Sequence, residues 1–197
     1  MTAGVLALHP WWGLNDDVRA YAERLRGEGY QVVAPDLYHG RVATTIEAAK
    51  ALQGPLSKDW KRAMSEIEEA HTKLSSQADR VAVLAWSMGV WFSWQLAQAH
   101  PDRIRGLVSY YGYGEVEPGK PLPPILGHFA ENDEFEALDD VQAIEKTLAE
   151  SGAVAQFHVY PGTKHWFDEP SRPEYDKAAS DLAWQRTLAF LDAHLRH

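Results

Sequence analysis

Apolar residues along this chain fall into two alternating rhythms. Predominantly apolar runs at residues 5–8, 30–34, 81–86, 106–111, 125–130 and 154–160 have the length of buried strands, the last of them two-sided enough to lie near a sheet edge. Between these runs apolar positions recur every three or four residues, the spacing of one helix face. Val18, Tyr21, Ala22 and Leu25 form one such stripe, and Trp60, Met64, Ile67, His71 and Leu74 a second. Val141, Ile144 and Leu148 form a third, and Trp184, Leu188, Leu191 and Leu195 a fourth. A further helix from Met88 to Ala99 is stopped by His100-Pro101, while Asn15 and Gly29 supply the cap and the stop of the first. Residues 37–56 are the least regular stretch. They can hold a short helix over residues 44–52 and have the placement of insertions that shape a pocket above a sheet. Strands alternating with helices predict an α/β architecture, a mostly parallel doubly wound sheet with helices on both faces.

Composition narrows this picture without changing it. The 197 residues suffice for one domain, expected to span 1–197, and 45% hydrophobic with 24% charged residues is ordinary for a globular chain. A net charge of −9 without a Lys/Arg cluster argues against nucleic acid and anionic membrane as partners. Residues 1–8 have neither a basic leader nor a long apolar run, so a cytoplasmic location is expected. The absence of cysteine excludes disulfides, thiolate metal sites and a cysteine nucleophile. The nine histidines are scattered, and neither Gly13 nor Gly112-Tyr113-Gly114 forms a phosphate cradle, so neither a metal nor a cofactor is expected. Oligomeric state is left open.

The run Val81-Ala82-Val83-Leu84-Ala85-Trp86-Ser87-Met88-Gly89 carries the chemistry. A strand ending in a serine flanked at two residues by small side chains, followed at once by a helix, is the pattern of a nucleophile elbow. Ala85 stands where glycine is usual. Ligands of such sheets sit at the carboxyl ends of strands. There the fifth run is followed by Asn132-Asp133 and the sixth by Gly162-Thr163-Lys164-His165. The order serine, acid, histidine fits a triad with Ser87 as nucleophile, His165 as base and acid, and Asp133 as its orienter. Oxyanion donors would be the backbone N–H of Met88 and, because Pro10 has none, that of Trp11. Trp12, Trp86 and Trp166, with Trp11, fall on loops near Ser87 and are candidates for a substrate pocket, whereas His71 and His128 read as core or pocket-lining residues.

Together with Trp12-Gly13-Leu14-Asn15, Val33-Ala34-Pro35-Asp36-Leu37-Tyr38, Tyr110-Tyr111-Gly112 and Arg186-Thr187-Leu188-Ala189-Phe190-Leu191, these motifs make nearly the whole chain resemble the dienelactone hydrolase family of α/β-hydrolases. The resemblance implies a compact α/β-hydrolase fold and hydrolysis of an ester or lactone. It also marks departures. Family members of the dienelactone type use a cysteine held by a glutamate, where this chain has Ser87 and Pro10. They grip a substrate carboxylate with an arginine shortly after the histidine, where Asp168-Glu169 stand here and would repel an anion. The chain also starts at the first parallel strand, without the antiparallel strands that commonly precede it. The expectation is a serine hydrolase of the carboxylesterase type, acting on small esters or lactones through an acyl-enzyme. Dienelactone hydrolysis proper, thioester cleavage and a non-catalytic small-molecule-binding role use the same fold and remain open alternatives.

Overall fold

The computed structural model describes residues 1–196. In chain order the elements are β1 (Ala3–Leu8), α1 (Asp16–Gly27), β2 (Gln31–Val33), α2 (Ile46–Lys58), α3 (Trp60–Ser75) and β3 (Arg80–Trp86). They continue with α4 (Met88–Ala99), β4 (Ile104–Tyr110), β5 (Ile125–Ala130), α5 (Leu138–Glu150), β6 (Ala155–Tyr160) and α6 (Lys177–Leu195). The strands form one sheet in the order β2-β1-β3-β4-β5-β6, and each neighbouring pair is parallel. This is the α/β architecture expected from the alternation of runs and stripes, with β6 at an edge.

Alternate residues of each strand face opposite ways, so each apolar run feeds two cores. Val5, Ala7, Leu84, Trp86, Val108 and Tyr110 pack with α1 and α6 on one face. Leu6, Leu8, Val83, Ala85 and Leu107 pack with α3, α4 and α5 on the other. In α1 the stripe Val18, Tyr21, Ala22 and Leu25 is buried as its spacing predicts, and the Asn15 side chain accepts from the Val18 N–H at 3.1 Å to cap the first turn. Burying one such large apolar side chain is worth about 1.5–3 kcal/mol, which is what ties each helix to the sheet.

Two readings of the pattern change. The helix in the irregular stretch runs on to Lys58 through Pro55, beyond residue 52, with Thr45 as its cap. Trp60 begins α3 and is 41% exposed, although its spacing put it on the buried stripe. The buried face starts one turn later at Ala63 and Met64, and the Trp60 ring instead meets Trp91 of α4 edge-on at 5.8 Å. His71 stays within its seam, buried and stacked on His100.

Candidate active site

The strand order reverses between β1 and β3, since the chain leaves β1 toward β2 on one side and returns to β3 on the other. A crevice at the carboxyl ends is therefore expected between them. Ser87 stands at this point, between the end of β3 and the start of α4. Its backbone, φ 46 and ψ −118, lies where L-residues are rarely found, as a strand-to-helix turn this sharp requires. The Ser87 N–H donates to the Tyr110 carbonyl at 2.9 Å and the Ser87 carbonyl accepts from the Val90 N–H at 2.8 Å, which hold the turn. A Cβ at Gly89 would lie 2.5 Å from the Leu8 carbonyl oxygen and 2.8 Å from that of His9. Glycine is required there because α4 crosses the end of β1. Ala85 is fully buried within the sheet, where its methyl is accommodated.

The three residues read as a triad converge. His165 Nε2 lies 3.0 Å from Ser87 Oγ, and His165 Nδ1 lies 2.8 Å and 2.9 Å from the two Asp133 carboxylate oxygens. A carboxylate can only accept, so Nδ1 carries the proton and donates to Asp133, leaving Nε2 to accept from the Ser87 hydroxyl. Asp133 is itself fixed by its own turn, Oδ1 accepting from the Phe135 N–H at 2.8 Å and the Glu136 N–H at 3.0 Å. The His165 ring is packed between Tyr111, Phe135 and Trp166, with centroids 4.8, 4.9 and 5.1 Å away. Tyr111 (φ 37) and Trp166 (φ 68) share with Ser87 a left-handed backbone that non-glycine residues seldom adopt. Three of the four such residues among those described thus surround one imidazole.

A cleft of about 330 Å³ opens on this group, lined among others by Trp11, Met88, Trp91, Glu136 and Trp166. Trp11 and Met88 both border it. The peptide before Trp11 is held by His9, which is completely buried. The Leu37 N–H donates to His9 Nε2 at 3.2 Å, so the ring proton is on Nδ1, which donates to the Pro10 carbonyl at 2.6 Å. Burial lowers the His9 pKa and keeps the ring neutral. The Pro10 carbonyl also accepts from the Gly13 N–H at 3.1 Å. In a trans peptide the N–H points opposite to the carbonyl, so pinning the Pro10 oxygen fixes the direction of the Trp11 N–H.

Trp166 lines the cleft, but the other two tryptophans expected in a pocket lie elsewhere. Trp86 is core: it is the last residue of β3, packs against Tyr21 and Tyr110, and donates its indole N–H to Asp168 at 3.1 Å. Trp12 is 1% exposed and is covered by the Arg172 guanidinium, 4.0 Å above its ring, beside a separate cavity near the start of α1. Asp168 and Glu169 do not face the cleft either, so the expected repulsion of a substrate anion does not come from them. Asp168 also accepts from the Ser180 hydroxyl at 2.7 Å, and Glu169 from the Tyr111 hydroxyl at 2.9 Å. Burial raises their pKa values to about 7 and about 8. His128 lies in a buried network with Tyr160 and Thr187. Among the described residues no group of three or more His, Asp or Glu side chains could hold a metal ion.

The acid that faces the cleft is Glu136, whose carboxyl burial pushes up to about 7, with the nearby Asp133 charge adding to the effect. Nothing in the sequence pattern singles it out from the other acids of residues 131–136. For Trp91, a spacing of four from Ser87 on one helix is a signal that could have found it.

The model of the dienelactone hydrolase family matches residues 1–195. The chain belongs to the dienelactone hydrolase family. It is therefore a hydrolase acting on ester bonds, on the α/β-hydrolase fold. Among relatives, protein usf of Aquifex pyrophilus is 28% identical over 98% of this chain and 88% of its own length. The carboxymethylenebutenolidase of Rhodococcus opacus is 25% identical, over 97% of this chain and 81% of its own. The crystal structure of dienelactone hydrolase from Anabaena variabilis superposes with a TM-score of 0.69 at 20% identity, covering 98% of this chain and 87% of that one. Among the described residues no helix is long and apolar enough to cross a membrane.

Proposed function

We propose that this chain is a serine hydrolase that cleaves small uncharged carboxylic esters or lactones through an acyl-enzyme. The observation that carries the proposal is the unbroken chain of contacts from Ser87 Oγ to His165 Nε2 at 3.0 Å and from His165 Nδ1 to Asp133 at 2.8 Å. Ser87 Oγ attacks the carbonyl carbon as its proton passes to His165 Nε2, and Asp133 stabilises the imidazolium. The oxyanion is met by the N–H groups of Met88 and Trp11, the latter aimed by His9. Collapse breaks the ester bond, and the leaving oxygen takes the proton from Nε2. Water then attacks the acyl-Ser87 carbonyl, giving a proton to Nε2, and the second collapse returns that proton to Ser87 and releases the acid.

The scheme closes with the chain's own groups and asks for no cofactor; the proposed setting is one domain working in the cytoplasm. An uncharged substrate is favoured because Glu136 is the acid in the cleft and, among the described residues, no arginine lines it. This separates the chain from relatives named for carboxymethylenebutenolide. Initial rates on chromogenic acetate and butyrate esters, for the native chain beside Ser87→Ala, test the reading. Native turnover and a loss of at least about a thousandfold in Ser87→Ala are expected. No turnover of any ester by the native chain would overturn it in favour of a non-catalytic binding role.

A further inference from the structure

The cleft at Ser87 continues past α4. A second cavity of about 330 Å³ is lined by Gln53, Ser57, Trp60, Met88, Trp91 and Phe92. Gln53, Met88 and Trp91 also line the cleft that contains Ser87 and His165, so the two spaces share a wall. Their chemistry differs. The first holds His165 and Glu136, whereas the second is lined by no ionisable side chain, only one amide and one hydroxyl on α2 facing an aromatic and thioether surface on α3 and α4. Trp60 is among the few large apolar side chains left exposed, and it is braced edge-on against Trp91. Met88 stands at the junction. Its sulfur accepts from the Tyr38 hydroxyl at 3.4 Å, and an unbranched thioether can repack around different occupants.

We propose that this second cavity is the subsite for the apolar arm of the ester, an alkyl chain or one aromatic ring, whose carbonyl lies at Ser87. The inference rests on the serine hydrolase reading and adds the substrate class. Continuity decides the occupant. An arm attached to a carbonyl held at Ser87 reaches the cavity past Met88 and Trp91 without a second binding event, and it covers indole surface that is otherwise wet. The space equals roughly ten water volumes, enough for several methylenes and poorly suited to a charged group that would find no partner there.

The test is kcat/KM along two series, acyl chains from acetate to hexanoate on one chromogenic alcohol, and alcohols from ethyl to hexyl on acetate. Each methylene buried in the transition state is worth about a fourfold gain. At least a tenfold rise along one series is expected for the native chain, and the series that rises identifies the arm as acyl or alcohol. Trp60→Ala and Ser57→Trp, the first removing the wall and the second filling the space, are each expected to bring the longest-to-shortest ratio close to one. A ratio is immune to a general loss of activity, and circular dichroism checks the fold of both variants. Flat series in the native chain, or a rise that both variants leave intact, would overturn the subsite while leaving the serine hydrolase standing. Absence of turnover even on acetate would overturn both.

Discussion

Two groups of carboxyls lie close to His165 in sequence or space, and they have opposite fates. Asp133 sits in a turn after β5, takes two backbone N–H donors on one oxygen and meets the imidazole with both. Asp168 and Glu169, three and four residues beyond the histidine, turn inward and accept from Trp86, Ser180 and Tyr111, and the pull of Arg24 and Arg172 on them is outweighed by burial. One Glu169 oxygen is buried without a hydrogen-bond partner, and burial raises the pKa of this carboxyl. The same functional group thus meets an imidazole in one place and braces the wall behind the pocket in the other. What separates them is the supply of backbone N–H donors and the imidazole partner, not residue type, for the Asp133 side chain is itself buried.

The sharpest way to break this comparison is to neutralise each side in turn. Asp133→Asn is expected to lower kcat by about 10⁴-fold, because the amide holds the wrong histidine tautomer, with little change in KM. Asp168→Ala is expected to keep kcat within a few-fold while costing on the order of 1–3 kcal/mol in denaturant unfolding, since the Trp86 N–H and Ser180 hydroxyl lose their acceptor. Equal loss of activity in the two variants would collapse the distinction. Next in size, His9→Ala frees the Pro10–Trp11 peptide and is expected to lower kcat by roughly tenfold or more at unchanged KM, part of the cost of a lost oxyanion donor.

Smaller, and specific to the buried acids, is the dependence of stability on pH. Carboxyls whose pKa is higher in the folded than in the unfolded chain stabilise fully below the unfolded value, and that contribution is lost as pH rises toward the folded value. Asp168 and Glu169, at about 7 and about 8, therefore make stability fall with rising pH. The buried histidines His9 and His128 are shifted down and act in the opposite sense below their usual value of 6.5. Between pH 6.5 and 8 the acids dominate, with Glu136 at about 7 adding in the same sense, and each contributes a slope of up to about 1.4 kcal/mol per pH unit while it stays protonated. Melting temperature is expected to drop over this window, and Glu169→Gln to flatten the drop. Smallest is the effect of Glu136→Gln. A few-fold gain on an anionic ester relative to its neutral isostere is expected, larger at pH 8 than at pH 6 because the native carboxyl is more fully ionised there.

Much of this was legible from pattern. The apolar runs gave the strands, the central ones buried on both faces, and the stripe of α1 gave its packed face, because both follow from local periodicity. Ser87, Asp133 and His165 could be picked out because each lies where a run ends, and a parallel sheet brings all run ends to one rim. Three things were not legible, for related reasons. Trp86 and Trp12 are as close to the motifs in sequence as Trp166, but the last strand residue points into the core on alternation and the first-strand loop turns its second indole inward. Asp168-Glu169 could be read only as acids near a histidine, since the left-handed Trp166 that redirects the chain is not a glycine and leaves no sequence mark. Glu136 was hidden by its similarity to Glu131 and Glu134, which differ from it only in tertiary burial.

In the proposed reaction Ser87 is a nucleophile made reactive by its neighbours. The most direct measurement is peptide-resolved mass spectrometry after exposure to a fluorophosphonate. The native chain is expected to gain a single adduct on the peptide containing Ser87, in step with loss of esterase activity, and His165→Asn to label far more slowly although its serine is intact. A native chain that stays unlabelled, or esterase activity that survives in Ser87→Ala, would contradict it.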